Sequence, residues 1–147
     1  MTMLDGDQVR SADRSPLGFT KSDRDLQVRR VAGLARDVVD RGDIAVCALV
    51  SPYAAAREEA RQLIGSSRFV EVFVDTPLSV CEERDPKGLY ARARLGDLVN
   101  FTGLDDPYEP PGAPELVIAT VDCGAMDNAR RLVRYLISTG VLPADLD

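Results

Sequence analysis

Four short runs of apolar residues divide the chain into alternating segments. The runs are rich in β-branched side chains: TMLD, which ends at Asp5, IAVCALV over residues 44–50, FVEVFVD over 69–75 and ELVIATVD over 115–122. Nearly continuous apolar character is typical of parallel strands that are covered on both faces. The pattern therefore predicts a parallel sheet built from these four strands.

Helical patterns fill the spaces between these runs. Over residues 22–41, with Ser22 as the predicted N-cap and Gly42 as the stop, one apolar stripe contains Val28, Val31, Ala35 and Val38. In Ser51-Pro52 and Thr76-Pro77, a capping hydroxyl precedes a proline at the first helical position. A last helix over residues 126–138 is predicted to turn four apolar side chains inward: Ala129, Leu132, Val133 and Leu136. Strands alternating with helices predict a single α/β domain over residues 1–147, with sites at the carboxyl ends of its strands.

Composition narrows the range of functions. The 147 residues carry 18 basic and 24 acidic side chains, and the net charge of −6 argues against general binding to nucleic acid or membranes. No histidine is present, which excludes a histidine-based triad, and the cysteines lack the CxxC spacing of zinc sites. Cys47 and Cys81 lie in apolar runs and are predicted to be buried thiols in a reducing cytoplasm.

Residues suited to chemistry follow the predicted strand ends. Asp5 and Asp7 flank a glycine in LDGDQVR, and both can face one cavity only if the strand has ended at Gly6. The alternative is a helix N-cap or a turn. RDPKGLYARAR is a basic segment without apolar periodicity, and NFTGLDDPYEPP is a polar loop in which Phe101 and Tyr108 are expected to be exposed. A long loop of this kind is usually a lid or a binding loop.

These segments, together with LGF at Phe19, resemble adenylylsulfate kinase, a P-loop enzyme that phosphorylates adenosine 5′-phosphosulfate at its ribose 3′-hydroxyl. LDGDQVR, LGF, RDPKGLY and FTGLDDPYEPP match the family in order and spacing, from Leu4 to about Leu142. The resemblance implies a P-loop-kinase-like parallel sheet with flanking helices and a function in sulfate activation and assimilation. It also implies ATP as co-substrate, with Mg²⁺.

The resemblance implies a set of substrate contacts. Phe19 and Phe101 would sandwich the adenine, and Arg10 and Arg24 would hold the phosphosulfate. The plainer interpretations are core phenylalanines and, for Arg24, a surface salt bridge. Gln27 stands where the family has an asparagine that bonds the substrate, so this contact would need a longer arm.

The resemblance also implies catalytic roles. Asp5 would orient Mg²⁺ through water, and Asp7 is favoured as the group that accepts or positions the 3′-hydroxyl proton. Lys87 would lie over the transferring phosphate, with Arg84 against the ATP base; otherwise RDPKG is only a turn. Ser51 is either a helix cap or the position at which some family members are discussed as phosphoserine enzymes.

The chain departs from the family at three further points. Gln8 replaces an asparagine, and SADRSP at residues 11–16 replaces small or apolar residues. No glycine is followed by lysine, so the phosphate-cradling loop G-x-x-x-x-G-K-[ST] is absent from these 147 residues. In the family this loop, its strand and its helix would precede Met1, so the domain is expected to be N-terminally incomplete. The missing strand is the first of the family, so the four apolar runs here correspond to strands 2 to 5. The implied spatial order, 2-3-1-4-5, puts the missing strand between IAVCALV and FVEVFVD.

Three interpretations of the missing loop stay open. The chain is an incomplete copy of a kinase, a sulfonucleotide-binding protein that does not transfer phosphate, or a degenerate product. The intact RDPKGLY segment favours the first, because a lid is useful only when ATP binds. In any of these cases the expected partners are a second copy of the chain or a complementing kinase or sulfurylase.

Overall fold

Strands and helices follow one another in the alternating order that the sequence predicts. The computed structural model describes residues 1–12 and 17–144, so residues 13–16 of the SADRSP segment lie outside the described residues. The strands are β1 (Thr2–Asp5), β2 (Ala45–Ala48), β3 (Val72–Asp75) and β4 (Leu116–Ala119). The helices are α1 (Gly6–Ser11), α2 (Lys21–Asp40), α3 (Ala54–Ile64), α4 (Leu78–Arg84), α5 (Leu89–Arg94) and α6 (Ala125–Ser138).

The chain divides into two compact units, and the first comprises Met1–Phe69 and Arg92–Pro111. Its strands β1 and β2 pair in parallel, with Thr2 opposite Ala45 at one end and Asp5 opposite Ala48 at the other. Helices α2 and α3 pack against each other and supply the buried core: Val28, Ala32, Ala35, Tyr53, Ala56, Ala60 and Ile64. Removal of these side chains from water is the main stabilising term of this unit.

The second unit comprises Val70–Ala91 and Gly112–Asp147. Its strands β3 and β4 are also parallel, with a register that runs from Val72 opposite Leu116 to Asp75 opposite Ala119. The buried Asn128 of α6 donates from Nδ2 to the carbonyl oxygen of Ala119 at 2.8 Å, which fixes α6 to the end of β4.

These pairings confirm the predicted neighbours, since each strand pairs in parallel with the strand that the family order places beside it. The prediction that both faces are covered is wrong for the carboxyl-terminal halves of β2 and β3. Cys47 and Ala48 of β2 are exposed, as are Val74 and Asp75 of β3. The expected burial of the Cys47 thiol is therefore wrong as well. The physical reason is that, in the described part of the chain, each sheet has two strands, which offer too narrow a surface for helices to pack across.

Two helices begin elsewhere than predicted. Helix α2 is capped by Thr20 and not by Ser22, because Thr20 and Asp23 form a capping box in which each side chain accepts from the other's backbone N–H. Helix α4 has Pro77 itself at the N-cap, without a side-chain cap. The Thr76 hydroxyl instead lies 2.6 Å from that of Thr120. The predicted stop of α2 is confirmed, since the helix ends at Asp40 and Gly42 adopts a φ of 81°.

The inward stripe predicted for α6 is only partly correct. Leu132 and Leu136 are half-buried, but Ala129 and Val133 are exposed. The two strands of this unit cover only part of the helix. In the part of the chain that the structure describes, no helix is long and apolar enough to cross a membrane.

Candidate active site

The junction of β1 and α1 brings two acids to the end of a strand. The strand ends at Asp5 and the helix begins at Gly6, so the condition for both acids to face one cavity is met. A Cβ at Gly6 would lie 2.7 Å from Cδ2 of Leu49 and 3.2 Å from the carbonyl oxygen of Ala48, so a larger residue here would have to displace the Leu49 side chain. Asp7 lies in the first turn of α1 with its side chain exposed.

Asp5 is also the N-cap of α1. Its Oδ1 accepts hydrogen bonds from the backbone N–H groups of Asp7 at 2.9 Å and Gln8 at 3.0 Å. The helix-cap interpretation is therefore correct for Asp5. Within residues 1–12 and 17–144, no group of three acidic, cysteine or histidine side chains is arranged to hold a metal ion.

Two arginines flank the ring of Phe19. The guanidinium carbon of Arg10 lies 4.9 Å from the ring centroid, and that of Arg24 lies 5.7 Å from it. Nη1 of Arg10 also donates to the carbonyl oxygens of Leu17 at 2.8 Å and Gly18 at 2.7 Å. Phe19 itself is 58% exposed, so its ring is available for stacking and is not a core residue.

Arg24 connects Phe19 with the polar loop at residues 100–109, which we call the aromatic loop. Its Nε donates to the carbonyl oxygen of Phe19 at 3.1 Å, and its Nη2 donates to that of Asn100 at 2.6 Å. Its Nε also lies 3.6 Å from Oδ2 of Asp106. Arg24 is therefore a bridge between the segments that carry the two predicted aromatic contacts. The alternative, a salt bridge, is present as well in the ion pair with Asp106, although both side chains are largely buried.

The guanidinium group of Arg10 is affected by its surroundings. Burial, and then the proximity of Arg24, lower the pKa of Arg10 from its ordinary value. A like charge nearby disfavours ionisation, whereas an anion between the two groups would favour it. The pair is thus suited to an oxyanion ligand.

Gln27 is buried on α2 behind the β1–α1 turn. Its Nε2 donates to the carbonyl oxygen of Gly6 at 3.1 Å, and its Oε1 is buried without a hydrogen-bond partner. The amide therefore supports the turn that carries Asp5 and Asp7.

The cap prediction at Ser51 is wrong. Ser51 has a φ of 37°, and α3 begins only at Ala54, with Tyr53 at the N-cap and no side-chain cap from that residue. The first helical N–H, that of Ala54, donates instead to Oε2 of Glu109 at 2.7 Å. The cap is thus provided by the aromatic loop, about fifty residues away in sequence. A phosphoserine role for Ser51 stays a prediction.

The head of the aromatic loop is folded around one carboxylate. Asp105 accepts from the backbone N–H groups of Asn100 at 2.7 Å and Phe101 at 2.5 Å. These bonds, first that from Phe101, lower the pKa of Asp105. Phe101 and Tyr108 are half-buried and not fully exposed as predicted.

Arg84 and Lys87 lie in the second unit. Arg84, in the last turn of α4, donates from Nη1 to Oγ1 of Thr120 at 3.1 Å and from Nη2 to its carbonyl oxygen at 2.8 Å. Lys87 is exposed in the turn between α4 and α5, where Gly88 has a φ of 65°.

Four residues that join the start of α3 to the aromatic loop were missed by the sequence analysis. They share a position at the start of α3 or on the loop itself: Tyr53, Arg57, Asp106 and Glu109. Their only trace in the sequence is an arginine four positions after the tyrosine of VSPY, and acids in LDDPYEPP. Neither pattern shows which residues pair.

The chain is an α/β protein of the P-loop-kinase-like class. Its parallel strands are flanked by helices, and acids, paired arginines and aromatic residues lie near the ends of β1 and β2. The sequence model of the adenylylsulphate kinase family matches residues 1–119. The chain belongs to this family.

Individual relatives agree with the family match. The chain is 46% identical over 145 residues to the adenylyl-sulfate kinase of Halothermothrix orenii, which covers 97% of this chain and 77% of that protein. It is 49% identical to the bifunctional enzyme NodQ of Azospirillum brasilense, of which it spans 23%. The solved structure of the Mycobacterium tuberculosis APS kinase CysC, in complex with AMPPNP and APS, superposes with a TM-score of 0.87 at 39% identity. That superposition covers 92% of this chain and 79% of the other.

Proposed function

We propose that this chain binds adenosine 5′-phosphosulfate in its first unit and serves the ATP-dependent phosphorylation of the ribose 3′-hydroxyl. The observation that carries the proposal is the arrangement of Arg10 and Arg24 on Phe19, with Arg24 also bound to the carbonyl oxygen next to Phe101. Two cations and two aromatic rings suit a ligand that combines an aromatic base with an anion.

Each half of this ligand has a matching group. A guanidinium fork binds phosphate or sulfate oxygens through parallel hydrogen bonds. Stacking of a base on an aromatic ring contributes ~1–3 kcal/mol. Because Phe19 is mostly exposed, a base can approach its ring without displacing core atoms.

The β1–α1 turn supplies groups for the transfer step. We assign Asp7, exposed in the first turn of α1, to the proton of the 3′-hydroxyl, whose oxygen would attack the γ-phosphorus of ATP as the bond to ADP breaks. Mg²⁺ is usually held by one or two carboxylates together with phosphates and water, so Asp5 fits such a role without a three-ligand cluster. The metal would neutralise charge on the phosphates. Lys87 and Arg84 are assigned to the ATP side of the reaction.

A second candidate function is sulfonucleotide binding without phosphate transfer. It is favoured by the sequence, in which no glycine precedes a lysine, so these 147 residues provide no G-x-x-x-x-G-K-[ST] loop. Under either function the three free cysteines support a reducing compartment such as the cytoplasm.

Calorimetry with the two nucleotides tests whether the chain binds adenosine 5′-phosphosulfate at all, as both candidate functions require. The 147-residue chain should bind adenosine 5′-phosphosulfate and should bind ATP·Mg²⁺ far more weakly. ATP binding in the low micromolar range would contradict the expected weakness, and a coupled kinase assay then decides whether transfer occurs. A chain that fails to bind adenosine 5′-phosphosulfate would overturn the proposed function.

A further inference from the structure

The amino-terminal turn of α3 is tied to the aromatic loop by buried polar groups that the proposed function does not use. Tyr53 is 3% exposed and Arg57 is 8% exposed. Tyr53 belongs to the apolar core of the first unit, where it packs with residues of α2 and α3. Its hydroxyl, however, donates to the carboxylate of Asp106, at 2.8 Å from Oδ1 and 2.7 Å from Oδ2.

Arg57 joins the same helix turn to the other end of the loop. Its Nη2 donates to the carbonyl oxygen of Glu109 at 2.7 Å, and its Nη1 donates to that of Ser51 at 2.8 Å. The N–H of Glu109 donates in turn to the carbonyl oxygen of Pro52 at 2.8 Å. The backbone N–H of Ala54 also donates to the Glu109 carboxylate, so Glu109 is held to the start of α3 through its side chain and its backbone.

The path from Tyr53 to Phe101 is short and made of defined bonds. The backbone N–H of Asp106 donates to the carbonyl oxygen of Phe101 at 3.2 Å, while its carboxylate receives the Tyr53 hydroxyl. Arg24 lies 3.6 Å from the same carboxylate and holds the carbonyl oxygen of Asn100. Loss of the tyrosine hydroxyl would therefore loosen the residue that fixes the Phe101 backbone, without altering the core.

We propose that Tyr53 and Arg57 are positioning residues for the sulfonucleotide site, which hold the aromatic loop so that Phe101 is presented for stacking. The proposal rests on the proposed function, since it concerns the same ligand. Neither residue needs to touch the ligand. Pre-ordering of a loop raises affinity because the cost of ordering it is met before binding. If the two residues had a purely structural role, their loss would lower the stability of the whole unit. It would not selectively loosen the aromatic loop or weaken ligand binding.

Tyr53→Phe is the sharpest variant, because it keeps the ring in the core and removes only the hydroxyl. Hydrogen bonds to charged groups are the stronger ones, so affinity for adenosine 5′-phosphosulfate should fall about tenfold. Amide hydrogen exchange should accelerate in peptides that cover residues 99–109, with exchange in α2 and β1 unchanged. Tyr135→Phe makes the same chemical change on α6 in the second unit and should alter neither quantity.

Two further variants test the route of the effect. In a Phe101→Ala background, Tyr53→Phe should cost little additional affinity, since the ring that it positions is gone. Arg57→Lys should weaken binding as Arg57→Ala does, because a single ammonium group cannot replace the fork that reaches both Ser51 and Glu109.

The outcomes are separable from those of the proposed function. Unchanged loop exchange in Tyr53→Phe would overturn the positioning role, whatever the ligand does. Full additivity of Tyr53→Phe and Phe101→Ala would overturn the route through Phe101. If the unmodified chain fails to bind adenosine 5′-phosphosulfate, the proposed function is wrong, and loop exchange still decides whether Tyr53 holds the loop.

Discussion

The two units of the molecule have the same local architecture and very different interiors. Each contains one pair of parallel strands with helices attached. Among the described residues, every buried apolar side chain except Ile118 lies in the first unit. In the second unit, apolar side chains on strand and helix alike remain open to solvent, such as Val74 at 58% and Met126 at 68% exposed.

The difference shows that pairing of strands does not by itself make a core. In the first unit α2 and α3 pack against each other, so small residues such as Ala32, Ala56 and Ala60 become buried between them. In the second unit α6 has no comparable helix partner among the described residues, and its hydrogen bonds to β4 come from Asn128 and Arg131. The groups that contact the ligand in our proposal lie mostly on the better-packed unit.

The largest expected effect is self-association of the chain through the exposed surfaces of β2 and β3. Strand edges with apolar side chains are templates for association. We expect the isolated chain to form oligomers or aggregates, measured by size-exclusion chromatography with light scattering. A monodisperse monomer that phosphorylates adenosine 5′-phosphosulfate would contradict this expectation. It would show that the exposed apolar surfaces of β2 and β3 do not drive association.

Truncation to alanine of one apolar residue in each unit measures the contrast in energy. Ile64→Ala, in the core between α2 and α3, should lower the free energy of unfolding by about 2–5 kcal/mol. Val133→Ala, on the exposed face of α6, should change it by no more than roughly 0.5 kcal/mol. Urea denaturation in a common buffer measures both, and equal losses would show that the second unit is packed as well as the first.

Phe101→Ala separates binding from stability within the first unit. If the ring stacks on adenine, affinity for the sulfonucleotide should fall by ~1–3 kcal/mol with little change in melting temperature. Leu104, half-buried in the same loop, offers a control in Leu104→Ala that should keep most of the affinity. A large drop in melting temperature with unchanged affinity would make Phe101 a core residue.

The smallest effect appears only in alkaline solution. Burial, followed by the hydrogen bond to Asp106, raises the pKa of Tyr53 to about 12. Since the folded state then keeps a proton that the unfolded state loses near pH 10, stability should decline as pH rises from about 10 to about 12. Tyrosinate absorbance should show a titration step near pH 12 that Tyr53→Phe removes. Burial also raises the pKa of Tyr90, so a part of the delayed titration should remain in this variant.

Sequence reasoning succeeded where a local pattern carries the physics. The α2 stripe and the Gly42 stop each depend on neighbouring residues alone, and the structure confirms them. It failed where a distant group decides. Ser51 resembles a cap, but the N–H groups of α3 are met by Glu109, and no local pattern could show that partner. The prediction that Cys47 is buried failed for the same reason, because burial of a strand depends on the number of strands that pair next to it in the sheet.

The pairing of β1 with β2 has a consequence for how the first unit folds. Thr2 pairs with Ala45 and Asp5 with Ala48, so each contact joins residues roughly 40 positions apart, with all of α2 between them. Such contacts form late, because a long stretch of chain must be ordered before they are made. Helix α2 can form early from local bonds, since its capping box and apolar stripe lie within one segment. During synthesis β1 is made before β2 and can pair with it only after β2 has followed, so the β1–α1 turn reaches its place beside β2 late.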